Sequence, residues 1–377
     1  MRSLLLTRRT LLRAGVAAAA ASVAACSVPT VATAPPRLRR IGEATLAHRL
    51  KFQDTVVGGL SALDHDPARG TWAALSDDRS ELSPARFYTL LIGIGPDALA
   101  VQLRGVHLLR QADGSTYPGR RQRGDVPDPE GMRLLPSGNL LWSSEGDVSR
   151  GLSPTLREIR PDGSHVREIA LPPMLRARPE EDKTGPRNNL GLEGLALTPD
   201  GKGAWAAMEN ALQQDGPMPT AEAPGGPCRF TLFDIASGAA VRQIAYVPDA
   251  IPAHAIPPGA FADNGVSEIL MADADRMLVL ERAFMMGRGF SVRLYQIDVR
   301  EGSDTLASPR LTAGNHKAPR KTLLADFAQL GLTRLDNVEG MCWGPPGAGG
   351  ARTLVFVSDD NFNPLQVTQF VACEFLE

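Results

Sequence analysis

Apolar and polar positions along this chain follow a recurring layout. A polar or Gly-rich entry leads into a short apolar run, a turn, a second apolar run, and then acidic residues. Five segments carry it: 58–78, 128–147, 191–210, 264–284 and 337–361. Turns such as "PDG", "PSG" and "DPARG" place Pro where φ is fixed and Gly where φ is positive. The runs "LLWSSE", "AWAAME", "MLVLE" and "TLVFVSDD" are of strand length and partly β-branched or aromatic. No 3.6-residue period is sustained, so helices are a minor component.

Each segment is followed by two more strand-like runs, for example "RFTLFDI" with "AVRQIAY" and "VRLYQIDV" with "KTLLADF". Four strands per unit make the blade of a β-propeller, and the pattern predicts an all-β chain of this kind. The direct count is five blades, or six if a long connection hides a degenerate one. A β-sandwich or a pair of β domains is the alternative. The fifth unit has only three runs before the chain ends. A run near the N-terminus, 44–52 ("ATLAHRLKF"), supplies the fourth strand and closes the ring, which removes the exposed sheet edges.

The first residues stand apart from this pattern. "TRRTLLR" followed by "AGVAAAAASVAA" reads as a twin-arginine export signal, too short to stay as a membrane span. "VAAC" then reads as a lipoprotein cleavage box over residues 1–26, with Cys26 the lipidated first residue of the mature chain; an ordinary signal peptide is the alternative. Residues 27–40 are a Pro-rich tether and 41–377 the propeller domain. The expected location is periplasmic or on the cell envelope as a lipoprotein, touching membrane only through the lipid on Cys26.

Net charge changes little. The whole chain carries 40 Lys and Arg against 42 Asp and Glu, or −2. Removing Arg2, Arg8, Arg9 and Arg13 leaves 36 against 42, or −6. With no long basic run, nucleic acid is not an expected partner. Past Cys26 only Cys228, Cys342 and Cys373 remain, too few and too scattered for a disulfide framework or a zinc site. The six histidines show no metal spacing, and nucleophile-elbow, zincin and Walker signatures are absent.

The candidate chemistry is therefore acidic. In a propeller the innermost strand of each blade lines the central channel. A Glu-Gly pair at its start brings Glu130, Glu193 and Glu339 to one mouth, with Glu268 as the nearest equivalent in the fourth unit and Ser61 in the first. The ends of the second strands add Asp77, Asp78, Glu145, Glu209, Glu281, Asp359 and Asp360. So many carboxylates in one funnel require protonation, hydrogen bonds or cations, and calcium suits an oxygen-rich, flexible site. Arg79, Arg86 and Arg282 lie beside the acidic ends, where each either grips an anion or pairs with a neighbouring acid.

The segments "SDDRS" with "RFYTL", "DPEGM" with "SSEGD", "NLGLEGLALTPDG", "MLVLERAF" with "GRGFSVRLYQIDV", and "NVEGMCWGP" with "LVFVSDDNFNPLQVTQF" resemble the bacterial "esterase-like activity of phytase" family over 57–375. The resemblance implies a β-propeller with phosphoesterase or esterase activity, calcium-dependent, on a small anionic ester. Carried over onto matching positions, it implies catalytic roles for Glu130, Glu193, Glu339 and Arg282. Asn361 would bind substrate, joined from their place beside the acidic ends by Arg79 and Arg86, and Asp77, Asp78, Glu145, Glu209, Glu281, Asp359 and Asp360 would bind metal. No Lys-rich cluster is present for a six-phosphate substrate such as phytate. A non-catalytic propeller that binds a ligand or envelope partner at the same mouth is the other reading.

Overall fold

The computed structural model describes residues 37–376. The export signal, Cys26 and most of the tether lie outside the described residues. Twenty strands form five four-stranded antiparallel sheets, with one small extra hairpin at Lys51–Phe52 and Thr55–Val56. Only short 3₁₀ turns are helical among the described residues, and no helix is long and apolar enough to cross a membrane.

The fold is a five-bladed β-propeller. The inner strands, in chain order, are Leu60–Asp66, Pro129–Leu134, Leu192–Leu197, Ala262–Met271 and Asn337–Trp343. Blades 1 to 4 each use four consecutive strands. Blade 5 borrows its outermost strand from the N-terminus, Leu38–Thr45 paired antiparallel with Gln369–Phe375. The closing strand therefore lies earlier than the 44–52 expected from the apolar pattern and includes the end of the supposed tether. Its sequence, "LRRIGEAT", is an outer-edge sequence: one face packs and the other carries exposed charge, so hydropathy alone hides it.

Five apolar clusters fill the spaces between neighbouring blades. Trp142, Met132 and Phe87 pack between blades 1 and 2, and Trp205, Phe230 and Ile269 between blades 3 and 4. Second strands such as Leu140–Ser144 and Gly203–Met208 are buried along their whole length, because a blade is covered on both faces. Cys342 and Cys373 are buried free thiols on opposite faces of blade 5, one packed toward blade 1 and one toward blade 4, and do not pair.

The axis is closed by one ion pair. Arg133, 2% exposed, donates to the carbonyls of Leu63, Met132, Ile269 and Met341, on the inner strands of blades 1, 2, 4 and 5. Its Nη2 also lies 2.7 Å from the carboxylate of Glu268. Glu268 in turn accepts from the N–H of Leu195 in blade 3 (2.9 Å). One guanidinium and one carboxylate thus tie together all five inner strands. At the position of Glu268 the other blades carry Ala62, Gly131, Gly194 and Gly340, which leaves room at the axis for a single long side chain.

Candidate functional site

Above this plug the channel widens into a funnel of about 960 Å³. Each inner strand enters it through a β-bulge, and the bulge falls at the same level in every blade. The residues placed there are Ser61, Glu130, Glu193, Ser267 and Glu339. A bulge turns a side chain out of the regular alternation, here toward the funnel. The Gly that follows Glu permits close packing between inner strands. A Cβ on Gly194 would lie 2.7 Å from the backbone nitrogen of Ile269, and one on Gly340 would lie 3.1 Å from the backbone of Ala62 and Leu63. Where Glu is missing, Ser takes over a local bond: Ser61 Oγ donates to the Pro129 and Glu130 carbonyls, and Ser267 Oγ to that of Val338.

A second ring comes from the ends of the second strands. Asp77, Glu145 and Glu209 each donate their backbone N–H to the residue entering the neighbouring inner strand, and Arg282 and Asp359 occupy the same register. The ten positions of the two rings hold seven acids, two serines and one cation. Asp128 and Asp263 add further carboxylates to the lining. One carboxylate oxygen each from Asp128, Glu130 and Glu145 lies within 4.8 Å of the others, and the same holds for Glu145, Glu193 and Glu209. Glu145 belongs to both triads.

Few opposite charges offset these acids. Arg282 lies 3.3 Å from Glu339, 3.4 Å from Asp263 and 3.7 Å from Glu209. Arg79 reaches Asp147 at 2.8 Å and Asp128 at 3.2 Å. Burial, followed by repulsion from Glu145, Glu209 and Glu339, holds the Glu193 carboxyl well above its ordinary range. Burial with Glu193 and Asp128 does the same to Glu130, and burial with Asp359 and Glu339 to Asp77. Glu209 and Asp359 are also raised, by burial first. Glu145 is pushed up to about 7 by burial, although it accepts the Gly191 N–H at 2.5 Å. Burial opposes the Arg282 charge, but Asp263, Glu209, Glu339 and Glu193 outweigh it and hold the guanidinium protonated.

Three acceptor oxygens near this cluster have no hydrogen-bond partner: Asp77 Oδ1, Asn210 Oδ1 and Asn337 Oδ1. Asn337 is 4% exposed, and its Nδ2 donates to Glu339 (2.8 Å) and Asp359 (3.1 Å). Its amide oxygen is thereby oriented and left open. The lining of the funnel includes no His and no Cys, so its donors are oxygens, the ligands of a hard cation.

A family model described as "Esterase-like activity of phytase" matches residues 55–362. The chain belongs to the phytase-like family. No curated protein matches this phytase-like chain. Among solved structures it is distantly similar to an endo-arabinase from Bacteroides thetaiotaomicron, at 9% identity over 85% of this chain and 95% of that one, with TM-score 0.45. A protein from Lactobacillus plantarum is similar at 15% identity over 85% and 77%, with TM-score 0.36.

In this phytase-like propeller the funnel gathers Asp77, Arg79, Glu130, Glu193, Glu209, Arg282, Glu339, Asp359 and Asn361, and Glu145 joins them through the triads. Four predicted site residues are turned to other tasks. Asp78 accepts the N–H groups of Glu81, Leu82 and Ser83 and pairs with Arg86 at 2.8 Å. Arg86 is fully buried, spending its donors on Asp78, Tyr88 and the carbonyls of Val56, Ser83 and Pro84, so it does not meet a substrate. Asp360 accepts from the Gly59 and Phe362 N–H groups. Glu281 binds Tyr246, Asn264 and Lys321 on the other face of its strand.

Two of the expectations in blade 4 are off by one residue. Ser267, not Glu268, sits at the bulge, and Arg282, not Glu281, occupies the second ring. A one-residue shift moves a strand side chain to the opposite face. Sequence reasoning also passed over Asp128, Asp263 and Asn337. Asp128 and Asn337 each stand two residues before their Glu, in "DPEG" and "NVEG", and that offset was the available signal; Asp263, four residues before Ser267, does not share it.

Proposed function

We propose that this chain is a hydrolase of phosphate or carboxylic esters whose funnel works with bound calcium. The supporting observation is the composition of the two rings: six of their acids line one cavity and a seventh, Glu145, joins them through the triads, with Arg282 as the only ring cation and three acceptor oxygens unpartnered. Asp128, Glu130, Glu145, Glu193 and Glu209 would hold the metal, with Glu145 shared between the two triads. When bound, calcium offsets the excess carboxylate charge and polarises an ester oxygen.

The chain's own groups account for the rest. Arg282 faces the cavity from blade 4 and meets the negative part of an ester. Arg49, Arg79, Arg120 and Arg334 line the wall and draw an anion toward an otherwise acidic site. Glu339 is held through Oε1 by Asn337 and Arg282, which fixes its orientation for taking a proton from water. Glu193, on the inner strand of blade 3, is repelled by Glu145, Glu209 and Glu339, which suits it to the metal rather than to an unpaired charge. The N-terminal sequence supports export and lipid tethering at the cell envelope.

The test is hydrolysis by the purified chain of phosphomonoesters, phosphodiesters and short carboxylic esters, with calcium and with chelator. Calcium-dependent turnover that is lost in Glu193→Gln and Glu339→Gln is expected. No turnover of any class, with calcium still raising the melting temperature, would leave a binding propeller and reject the enzyme.

A further inference from the structure

The funnel is not symmetric in its apolar lining. In blades 1, 2, 3 and 5 the second strand ends at or just before the ring, at Ser76, Ser144, Met208 and Asp359. In blade 4 it runs on to Met285, and its partner Gly289–Asp298 begins equally far out. This extension carries aromatic rings. Phe284 lies two residues beyond Arg282, so both side chains share one face of the strand, about 7 Å apart along it. Phe284 stands opposite Phe290 in the ladder, with ring centroids 5.0 Å apart, and Phe261 follows at 6.2 Å from Phe284. All three line the funnel, and Phe261 is 59% exposed. Asp263 fixes the arrangement, since Oδ1 accepts the Phe284 N–H at 2.9 Å and Oδ2 faces Arg282.

We propose that blade 4 selects a phosphate ester carrying an aromatic substituent, with the phosphoryl group at Arg282 and the ring on Phe284 and Phe261. The inference rests on the hydrolase reading and names its substrate class. One strand face presents a cation and then an apolar wall, matching an anionic group joined directly to a flat apolar one. A small polar alcohol leaves that wall wet, whereas an aryl group covers it and gains stacking contacts. A phosphodiester or carboxylic ester with the same ring presents less negative charge to Arg282.

The experiment compares kcat and KM for 1-naphthyl phosphate and glycerol 2-phosphate, in calcium, for the full chain and for its Phe261→Ala and Phe284→Ala variants. Binding of naphthyl phosphonate and methyl phosphonate is measured by calorimetry in parallel. The unaltered chain is expected to favour the naphthyl ester by tenfold or more in kcat/KM, and each variant to reduce that preference several-fold through KM. Because Phe261 is largely exposed, its variant keeps the test valid if Phe284→Ala does not fold. Equal treatment of the two esters, or loss of both in proportion, would overturn the proposal while leaving the hydrolase intact. If neither ester is turned over, the hydrolase reading fails for phosphate. The phosphonates then decide: preferential naphthyl binding weakened in Phe261→Ala supports the aromatic wall, and equal or absent binding of the two rejects it.

Discussion

Two regions of the same channel bury charge in opposite ways. At the axis, Arg133 faces Glu268, and the backbone of every inner strand hydrogen-bonds to one or the other. A few ångströms higher, the funnel crowds acids around Arg282 and leaves acceptor oxygens open. Both sites are shielded from bulk water, where an unpaired charge is costly. The plug pairs its cation with a carboxylate, ties every inner strand together, and reads as architecture. The funnel is incomplete without something positive, and that imbalance sets it apart as the candidate site. Burial alone would not have separated the two.

The largest effect should come from breaking the axial pair. Arg133→Leu leaves Glu268 buried without its partner and removes ties to four blades, so a loss of about 3–5 kcal/mol is expected in urea unfolding. Removing both charges, with Glu268→Leu added, should cost less than the single change. Equal losses in the two variants would show that the pair does not act as a unit.

The incomplete site should respond to pH in the direction set by its raised carboxyls. Glu145 titrates at about 7 in the fold against 4.5 as its ordinary value, so the folded state keeps a proton that the unfolded chain has released. Its contribution is fully present below pH 4.5 and is lost as pH rises through 7; Glu130, Glu193 and Asp77 are raised in the same sense. In chelator, the melting temperature should fall from pH 5 to pH 8, and calcium should flatten that slope. A chelated protein that gains stability over this range would contradict the charge imbalance.

A smaller and more specific change is Glu145→Gln. In chelator at pH 8 it removes one repelled charge while the amide oxygen still accepts from Gly191, so a gain of about 1–3 kcal/mol is expected. In calcium the same variant should lose much of the metal-dependent rise in melting temperature, because Glu145 serves both triads. One sign in both conditions would remove it from the metal site. The smallest effect belongs at the rim of the molecule. Arg39 pairs with Glu374 on the closing strand but its side chain is 71% exposed, and Arg39→Ala should shift stability by no more than about 0.5 kcal/mol.

Much of this was legible in the sequence because a blade announces itself through turns and alternating strands. The Glu-Gly entries located three of the five bulge positions, and the ends of the second strands located four members of the upper ring. What failed was register. In blade 4 an acid stands one place from the ring in each strand, Glu268 beside Ser267 and Glu281 beside Arg282, and a bulge adds a residue that hydropathy does not reveal. Asp78 and Asp360 carry the right chemistry but follow the ring residue, and backbone N–H groups claim their oxygens. The closing strand was missed in part because an outer edge with exposed arginines looks like a linker.

The plug also decides how traffic moves. With the guanidinium of Arg133 filling the axis, the funnel is a cul-de-sac: whatever enters it must leave by the same mouth. Entry and exit therefore share one doorway, and an occupant on its way out stands in the path of the next arrival.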